Sequence, residues 1–239
     1  MRRTREHTRT VPLVSKVCNV RMVPIATEII TRELTGKESP VPALEEKVIP
    51  YYGVKEAAFP FNMFPEVDPL LGPEMRSTGE VLGLSESYGE AFYKAQEAVQ
   101  SKLPLSGTVL ISVNRKDKAE VVEVAKLFHE NNFRIIATEG TCQLINEAGI
   151  PAEKVKKLCE GRPNVLDEIT NGKVDIIVNS PVGKDSVYDD SYLRKAAIKG
   201  RIPYCTTMAA AMAAATGIHA VNNLDGGKIA SLQELHGKD

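Results

Sequence analysis

The chain has 239 residues, of which 43% are hydrophobic and 26% charged, and its formal net charge is −1. This composition is typical of one or two folded domains with an apolar core and excludes a largely disordered chain. The near-zero charge gives no overall electrostatic attraction to nucleic acid or to an anionic membrane, and no apolar run is long enough to span a bilayer.

The N-terminal segment Met1–Arg5 is basic, but no apolar stretch follows it. We therefore expect a solvated tail rather than a secretory signal. The four cysteines form no CxxC pair and show no metal-ligand spacing to the four histidines; they are Cys18, Cys142, Cys159 and Cys205. This pattern favours free thiols and a cytoplasmic protein.

Residues 1–104 carry 10 of the 14 prolines. The spacing of apolar residues predicts a helix over Val23–Glu33, which ends at Gly36, and a second helix over Glu86–Gln100. The segment Tyr51–Leu84 between them is rich in Pro and Phe and is expected to be irregular. Because a loop-rich stretch of this length seldom folds alone, we expect it to be part of a larger body.

Residues 105–239 alternate between short apolar segments and amphipathic ones. The predicted strands are Thr108–Val113, Phe133–Ala137, Val155–Leu158, Val174–Val178 and Ile202–Cys205. The predicted helices are Asp117–Asn131, Thr141–Ala148, Val165–Thr170, Asp189–Lys199 and Thr207–Ala215. A capping box from Asp117 to Glu120 is expected to begin the first helix, and Gly217 to end the last. Five strands alternating with five helices predict an α/β domain with a doubly wound, mainly parallel sheet.

In such a sheet a ligand binds outside the carboxyl ends of the strands, near the point where the strand order reverses. The loops after strands one, two, four and five share this edge; they are 114–118, 138–141, 179–184 and 205–207. They supply lysines, hydroxyl groups, an amide, glycines and two helix N-termini. Asp117 and Glu139 are the acidic residues placed there to act as a base. The pattern therefore predicts an anion site, most simply for a phosphate.

Three residues of this edge also have a purely structural interpretation. Thr141 could cap its helix, Lys118 could be a solvated first-turn lysine, and Asn179 could only end a strand. Their coincidence at one edge favours binding.

Three motifs in the first half of the chain resemble the large subunit of carbamoyl phosphate synthetases. They are YYGVKE at 51–56, PFN at 60–62 and, above all, DPLLGPEMRSTGEV at 68–81. The resemblance runs from about Arg9 to the C-terminus. It implies that residues 105–239 form a methylglyoxal-synthase-like allosteric domain with a five-stranded parallel sheet. It also implies that residues 1–104 are a mainly helical and irregular remnant of the second ATP-grasp unit with its connecting segment.

The resemblance further implies that a nucleotide effector such as UMP or IMP binds through its phosphate. The matching positions are Lys118, Thr138, Thr141, Lys157 and Asn179. A family threonine falls on Pro181, so Ser180 is expected to take its place, with Lys184 as an additional cation. In some bacterial relatives ornithine also activates, and the residues that match its site are Glu56, Leu71, Tyr204 and Thr206. Cys205 stands where that site has an aspartate, so both ornithine binding and its absence stay open at this point.

The family's second ATP-grasp unit ends in the motif Glu-x-Asn-Pro-Arg-x-x-Arg-Thr-Val-Pro, whose glutamate and asparagine hold Mg²⁺. Only the last four residues, Arg9–Pro12, are present, and the two metal-binding positions fall on Arg2 and Thr4. Because phosphoryl transfer needs the metal, we expect neither catalysis nor a cofactor in this chain, whereas a complete synthetase would need ATP and Mg²⁺.

The expected function is therefore regulation of carbamoyl phosphate synthesis in the pyrimidine and arginine pathways. The expected partners are the remaining ATP-grasp part of the synthetase, its glutaminase small subunit and a second copy of the chain. Neither nucleic acid nor a membrane is expected as a partner.

Three other functions compete with this one. The first is a stand-alone methylglyoxal-synthase-like phosphate-binding protein or lyase, but the two aspartates of that chemistry fall on Arg162 and Val182. The second is the cyclohydrolase domain of late purine synthesis, whose Lys- and His-rich stretch after the second helix has no counterpart here. The third is a solitary nucleotide-binding or assembly module that has no synthetase partner. Five aromatic residues of the first half bear on the third alternative, because they could face a partner surface, which would argue against a solitary module, or form a small core of their own. They are Tyr51, Tyr52, Phe59, Phe61 and Phe64.

Overall fold

The structure is a computed structural model that describes residues 3–37, 48–63, 74–180, 187–223 and 229–237. The helices in these ranges are α1 (Arg3–Cys18), α2 (Met22–Leu34), α3 (Tyr88–Ala98), α4 (Lys118–Glu130), α5 (Glu139–Glu147), α6 (Val165–Thr170), α7 (Val187–Gly200), α8 (Met208–Asn223) and α9 (Leu232–His236). The strands are β1 (Tyr52–Ala58), β2 (Gly79–Ser85), β3 (Gly107–Ser112), β4 (Phe133–Thr138), β5 (Ala152–Val155), β6 (Ile176–Asn179) and β7 (Tyr204–Cys205).

The five strands β3 to β7 form one parallel sheet in the order β5-β4-β3-β6-β7. The chain first builds outward from β3 through β4 to β5 and then returns to add β6 on the other side of β3. The strand order therefore reverses between β3 and β6, where Ser112 lies opposite Asn179. This arrangement confirms the predicted doubly wound parallel sheet.

The central strands are apolar on both faces because helices cover both sides of the sheet. Val109 and Ile111 face α4 and α8 and pack with Phe128 and Ile218, all fully buried. Leu110, which points to the opposite face, packs in the cluster that includes side chains of α6 and α7. Each such side chain contributes roughly 1.5–3 kcal/mol when it is fully buried.

The last helix, α8, does not end at Gly217 as predicted but continues to Asn223. Gly217 lies where α3 crosses α8, and a Cβ atom there would stand 3.1 Å from the carbonyl oxygen of Gly89. A Cβ atom on Gly89 would in turn stand 2.8 Å from the carbonyl oxygen of Thr216. Gly217 is therefore a packing glycine that lets two helix backbones approach, not a helix terminator.

Helices α2 and α3 confirm the two helices predicted in the first 104 residues. Two features of this part were not predicted. Helix α1 contains Pro12 and several β-branched residues, all unfavourable in helices, so propensity did not indicate it. The segment expected to be irregular contains β1 and β2, which pair in antiparallel register from Tyr52↔Ser85 to Ala58↔Gly79.

Helix α3 packs against β2 and α8, and Tyr93 and Leu103 join the core of the five-stranded sheet. The buried carboxylate of Glu90 accepts a hydrogen bond from Ser85 and forms a 2.8 Å ion pair with Lys94. Residues 86–104 thus share a core with the parallel sheet, and the division of the chain at residue 104 stays a prediction.

The predicted aromatic cluster in the first half is partly packed and partly exposed. The rings of Phe59 and Phe61 stack with centroids 5.1 Å apart, and Tyr51 donates a 2.7 Å hydrogen bond to the carbonyl oxygen of Val17. Tyr52 is 54% exposed and meets Tyr88 edge-on. Phe64 lies outside the described residues.

Within the described ranges, the helices are all too short or too polar to cross a lipid bilayer.

We expect Gly83→Ala to lower the free energy of unfolding by about 1–3 kcal/mol, as overpacking of a core does. A Cβ atom at Gly83 would stand 2.0 Å from the carbonyl oxygen of Ala91 and 2.8 Å from the amide nitrogen of Ala95, so α3 would have to move away from β2. Gly79→Ala, in the same strand, is the matched control because its nearest neighbour, Cβ of Ala58, would be 3.9 Å away. Urea denaturation measures both, and equal stability of the two variants would contradict the packing assignment.

Candidate functional site

The loops that follow β3 and β6 are joined by hydrogen bonds at the point where the strand order reverses. The amide nitrogen of Ser180 donates to the carbonyl oxygen of Ser112 (3.0 Å). The hydroxyl oxygen of Ser180 accepts from both the backbone nitrogen and Nδ2 of Asn114, at 3.1 and 3.2 Å. Ser180 is only 6% exposed, so these bonds lie in a largely water-free environment.

Asn114 also fixes the start of α4. Its Oδ1 accepts from the amide nitrogens of Lys116 (2.7 Å) and Asp117 (3.2 Å), and its Nδ2 donates to Oδ2 of Asp117 (2.7 Å). The predicted capping box is therefore wrong: Asp117 precedes α4 without a side-chain cap bond, because Asn114 holds its carboxylate. Sequence reasoning gave Asn114 no role. In an Asx turn the side chain of an asparagine bonds the backbone amide two residues further on, as Asn114 does with Lys116.

The loop after β4 lies beside this junction. Thr138 is 4% exposed, precedes the first residue of α5, and its Oγ1 donates a long bond of 3.4 Å to Oγ of Ser112. Thr141 is 2% exposed and lies inside α5, so it is not the residue that caps this helix. Ser112, which was not predicted as a site residue, lies between Thr138 and Asn179, so these two predicted residues flank the end of the central strand β3.

Lys118 reaches the same place from α4. Its Nζ donates a 3.0 Å hydrogen bond to the carbonyl oxygen of Gly140, in the first turn of α5. That turn has no side-chain cap, so its amide groups and the positive end of the helix dipole remain suited to an anion. The structure thus brings Lys118 to the start of the helix that contains Thr141.

The acidic residues of this edge are engaged with other side chains. Glu139 is exposed and pairs with Lys154, which lowers the pKa of the Glu139 carboxyl group. Asp117 is held by Asn114. Both carboxylates therefore serve local contacts, which agrees with a binding site better than with a site for proton transfer.

Two more lysines were predicted for the site, and the structure describes one of them, Lys157. Lys157 follows β5 on the same edge and is exposed, and its backbone nitrogen donates to Oε2 of Glu160 (2.9 Å). Lys184 lies outside the described residues, as do Pro181 and Val182.

The residues matched to an ornithine site are divided between two sheets. Glu56 is in β1, where Oε2 accepts a 3.0 Å bond from Nε2 of Gln96, and burial raises the pKa of its carboxyl group. Tyr204 is in β7, and Thr206 is an exposed residue directly after this strand. The hydroxyl oxygen of Tyr204 accepts a 2.6 Å bond from Nδ2 of Asn179. Leu71 lies outside the described residues.

Cys205 is buried, and burial raises the pKa of its thiol to about 12. The side chain is therefore neutral near pH 7 and does not supply the negative charge of an aspartate. All four cysteines are free thiols, as predicted. Among the described residues, no group of three or more His, Cys, Asp and Glu side chains is placed to hold a metal ion.

Comparison with known proteins adds to this geometry. A family model described as the MGS-like domain matches residues 120–206. The chain is 45% identical over 228 residues to the carbamoyl phosphate synthase large chain of Gemmatimonas aurantiaca, an alignment that covers 95% of this chain and 20% of that protein. It is 40% identical over 245 residues to the protein named carbamoyl phosphate synthase large chain, C-terminal section, of Aquifex aeolicus, covering 95% of this chain and 46% of that one.

The chain thus spans less than half the length of both relatives. Among solved structures, it is similar to methylglyoxal synthase from Elizabethkingia anophelis NUHP1, with a TM-score of 0.40 and 17% identity, covering 57% of this chain and 93% of that one.

The raised pKa of Cys205 predicts that this thiol is unreactive in the folded protein at pH 8, whereas the exposed Cys159 reacts readily with a thiol reagent. Mass spectrometry after brief labelling, with Cys159→Ser as control, identifies the modified residue.

An unfolded thiol titrates near 9 and the folded one near 12. Stability should therefore fall as the pH rises from 9 towards 12, by at most about 1.4 kcal/mol per pH unit, and this component should be absent from Cys205→Ala. Equal labelling of both cysteines in the native protein would contradict the burial.

Proposed function

From the premise that this chain is a homologue of the C-terminal section of carbamoyl phosphate synthase large chains, we propose that it is the regulatory portion of such a synthase. In this role it binds a phosphate-bearing nucleotide effector and modulates carbamoyl phosphate synthesis for the pyrimidine and arginine pathways in the cytoplasm. The observation that carries the proposal is the gathering of Lys118, Thr138, Thr141, Asn179 and Ser180 where the strand order of an MGS-like sheet reverses.

Each of these groups suits a phosphate oxygen. The ammonium group of Lys118 supplies positive charge, and hydrogen bonds between a charged donor and a phosphate are about twice as strong as neutral ones. The first turn of α5 adds backbone amide groups and the positive end of a helix dipole, and the amide of Asn179 and the hydroxyl groups of Thr141 and Ser180 are neutral donors. The hydroxyl group of Thr138, which donates a long 3.4 Å bond to Ser112, joins them by turning to the phosphate. Lys157 extends the positive charge along the edge, and a role for Lys184 stays a prediction.

A nucleotide is a more fitting ligand than a substrate to be converted. The positions that carry aspartates in a methylglyoxal-synthase-like lyase are Arg162 and Val182, and Arg162 forms a 3.5 Å ion pair with Asp167. A guanidinium group stays protonated and cannot act as a general base. The alternative of a stand-alone lyase is therefore less well supported than regulation.

Regulation requires that the effector bind one state of the synthase better than another, a coupling that typically amounts to about 1–3 kcal/mol. The proposed partners are the ATP-grasp part of the synthase, in which ATP and Mg²⁺ supply the phosphoryl-transfer chemistry, and the glutaminase small subunit. Helix α2 supports a partner of this kind. It has no buried residue, and its apolar side chains Val23, Ile30 and Leu34 are 59%, 57% and 82% exposed. Self-association and ornithine binding stay predictions.

Lys118→Ala is expected to weaken the binding of UMP or IMP by about ten- to a hundredfold, because a charge-assisted hydrogen bond contributes about 1.5–3 kcal/mol. Isothermal titration calorimetry measures the dissociation constants. Lys126→Ala is the matched control, since Lys126 lies in the same helix but near its other end. The fold should be unaffected in both variants; an unchanged affinity of Lys118→Ala, with lowered stability, would count against the site.

The chain is also expected to bind a separately produced polypeptide that carries the ATP-grasp units of the same organism's synthase. Co-purification through a tag on one partner, followed by sedimentation of the mixture, measures the association. Leu34→Asp should weaken it, because this substitution places a charge in the proposed contact, whereas Ile229→Asp, at a position that is 97% exposed, should not. Two species that sediment independently would contradict the proposed partner.

A further inference from the structure

We infer that Tyr204 is a positioning residue for the anion site and acts through Asn179. The inference rests on the proposed function and goes beyond it, since it gives Tyr204 a role that differs from the ornithine contact implied by resemblance. The 2.6 Å hydrogen bond from Nδ2 of Asn179 to the hydroxyl oxygen of Tyr204 carries it.

The bond joins the carboxyl end of β6 to the first residue of the neighbouring strand β7. Asn179 is the last residue of β6, and Tyr204 opens β7, the edge strand. The backbone register pairs Ile177 with Tyr204 and Val178 with Cys205, so the side chain of Tyr204 reaches forward along the sheet to meet Asn179. Tyr204 therefore contacts Asn179 from β7, on one side of β6, whereas Ser112 lies in β3 on the other side.

Asn179 is 4% exposed, so its amide is almost entirely removed from water. A buried amide is held by its hydrogen-bond partners, and removing one leaves a polar group unsatisfied or lets it rotate. A donor that is already fixed in its binding orientation loses less conformational entropy when a ligand binds. Tyr204 therefore preorganises Asn179, and with it one wall of the site.

The hydrogen bond between Asn179 and Tyr204 connects the proposed site to the edge strand β7. Tyr204 is only partly buried, in contrast to Asn179, and packs beside the cluster formed by α6, α7 and β6. Any change that displaces its hydroxyl group also removes one hydrogen-bond partner of Asn179. Phosphate affinity thus depends on a residue of the outermost strand, which the chemistry of phosphate binding alone would not indicate.

Tyr204→Phe tests the inference because it removes the hydroxyl group and keeps the ring. Calorimetric titrations of the full chain use inorganic phosphate, UMP and IMP as probes. We expect the dissociation constants of Tyr204→Phe to rise about three- to tenfold, the change that corresponds to one neutral hydrogen bond. Tyr192→Phe is the matched control, since Tyr192 is 58% exposed on α7.

A double-mutant cycle separates positioning from general stabilisation. If Tyr204 acts through Asn179, the hydroxyl group should contribute nothing to affinity in the Asn179→Ala background. Thermal unfolding of all four proteins shows whether any loss of affinity follows a loss of fold. A Tyr204→Phe protein that binds as the wild type does, or whose loss persists unchanged in the Asn179→Ala background, would overturn the inference alone. Wild-type protein that binds none of the probes would instead refute the proposed function and remove the basis of the inference.

Discussion

The hydrogen bonds between Asn114 and Ser180 are the constraint on which the rest of the site depends. A doubly wound sheet opens a crevice where its strand order reverses, because the chains that leave the two central strands cross to opposite faces. Here one asparagine bridges that crevice, closes the turn into α4 and holds the carboxylate of Asp117, which makes no cap bond to the helix. Lys118 is therefore delivered to the first turn of α5 by a loop whose polar groups are satisfied internally.

The arrangement supports the proposal that the site binds an anion, and it offers little for proton transfer. Donors come from strand ends and a helix start, positions that the backbone fixes, and the nearby carboxylates of Asp117 and Glu139 are held by Asn114 and Lys154. The pKa of Glu139 is lowered by Lys154, so its carboxyl group stays ionised and does not deliver a proton near neutral pH.

Sequence patterns predicted the parallel sheet well because its central strands are buried on both faces and read as continuous apolar runs. They also put Thr138, Asn179 and Ser180 at or just after strand ends, as in the structure, since a strand end is predictable once the strand is; the part of these residues in binding stays a prediction. They failed where the determining contact is remote: β1 and β2 pair across more than twenty residues, and α1 forms despite Pro12. The bond between Asn179 and Tyr204 was equally unpredictable, because it depends on how far one edge side chain reaches along a neighbouring strand.

The close packing of α3 bears on how binding at the site could be transmitted. Gly83, Gly89 and Gly217 let the backbones of β2, α3 and α8 touch without intervening side chains. Contacts of this kind transmit displacement rather than absorb it, since a close-packed interior has little compressibility. The two-stranded sheet and the parallel sheet are therefore mechanically linked through α3 and α8. A shift of α8 against the parallel sheet must move α3, and with it the β1–β2 sheet that precedes it in the chain. The regulation proposed above needs a path of this kind, together with a second stable arrangement of the helices to which the effector binds differently.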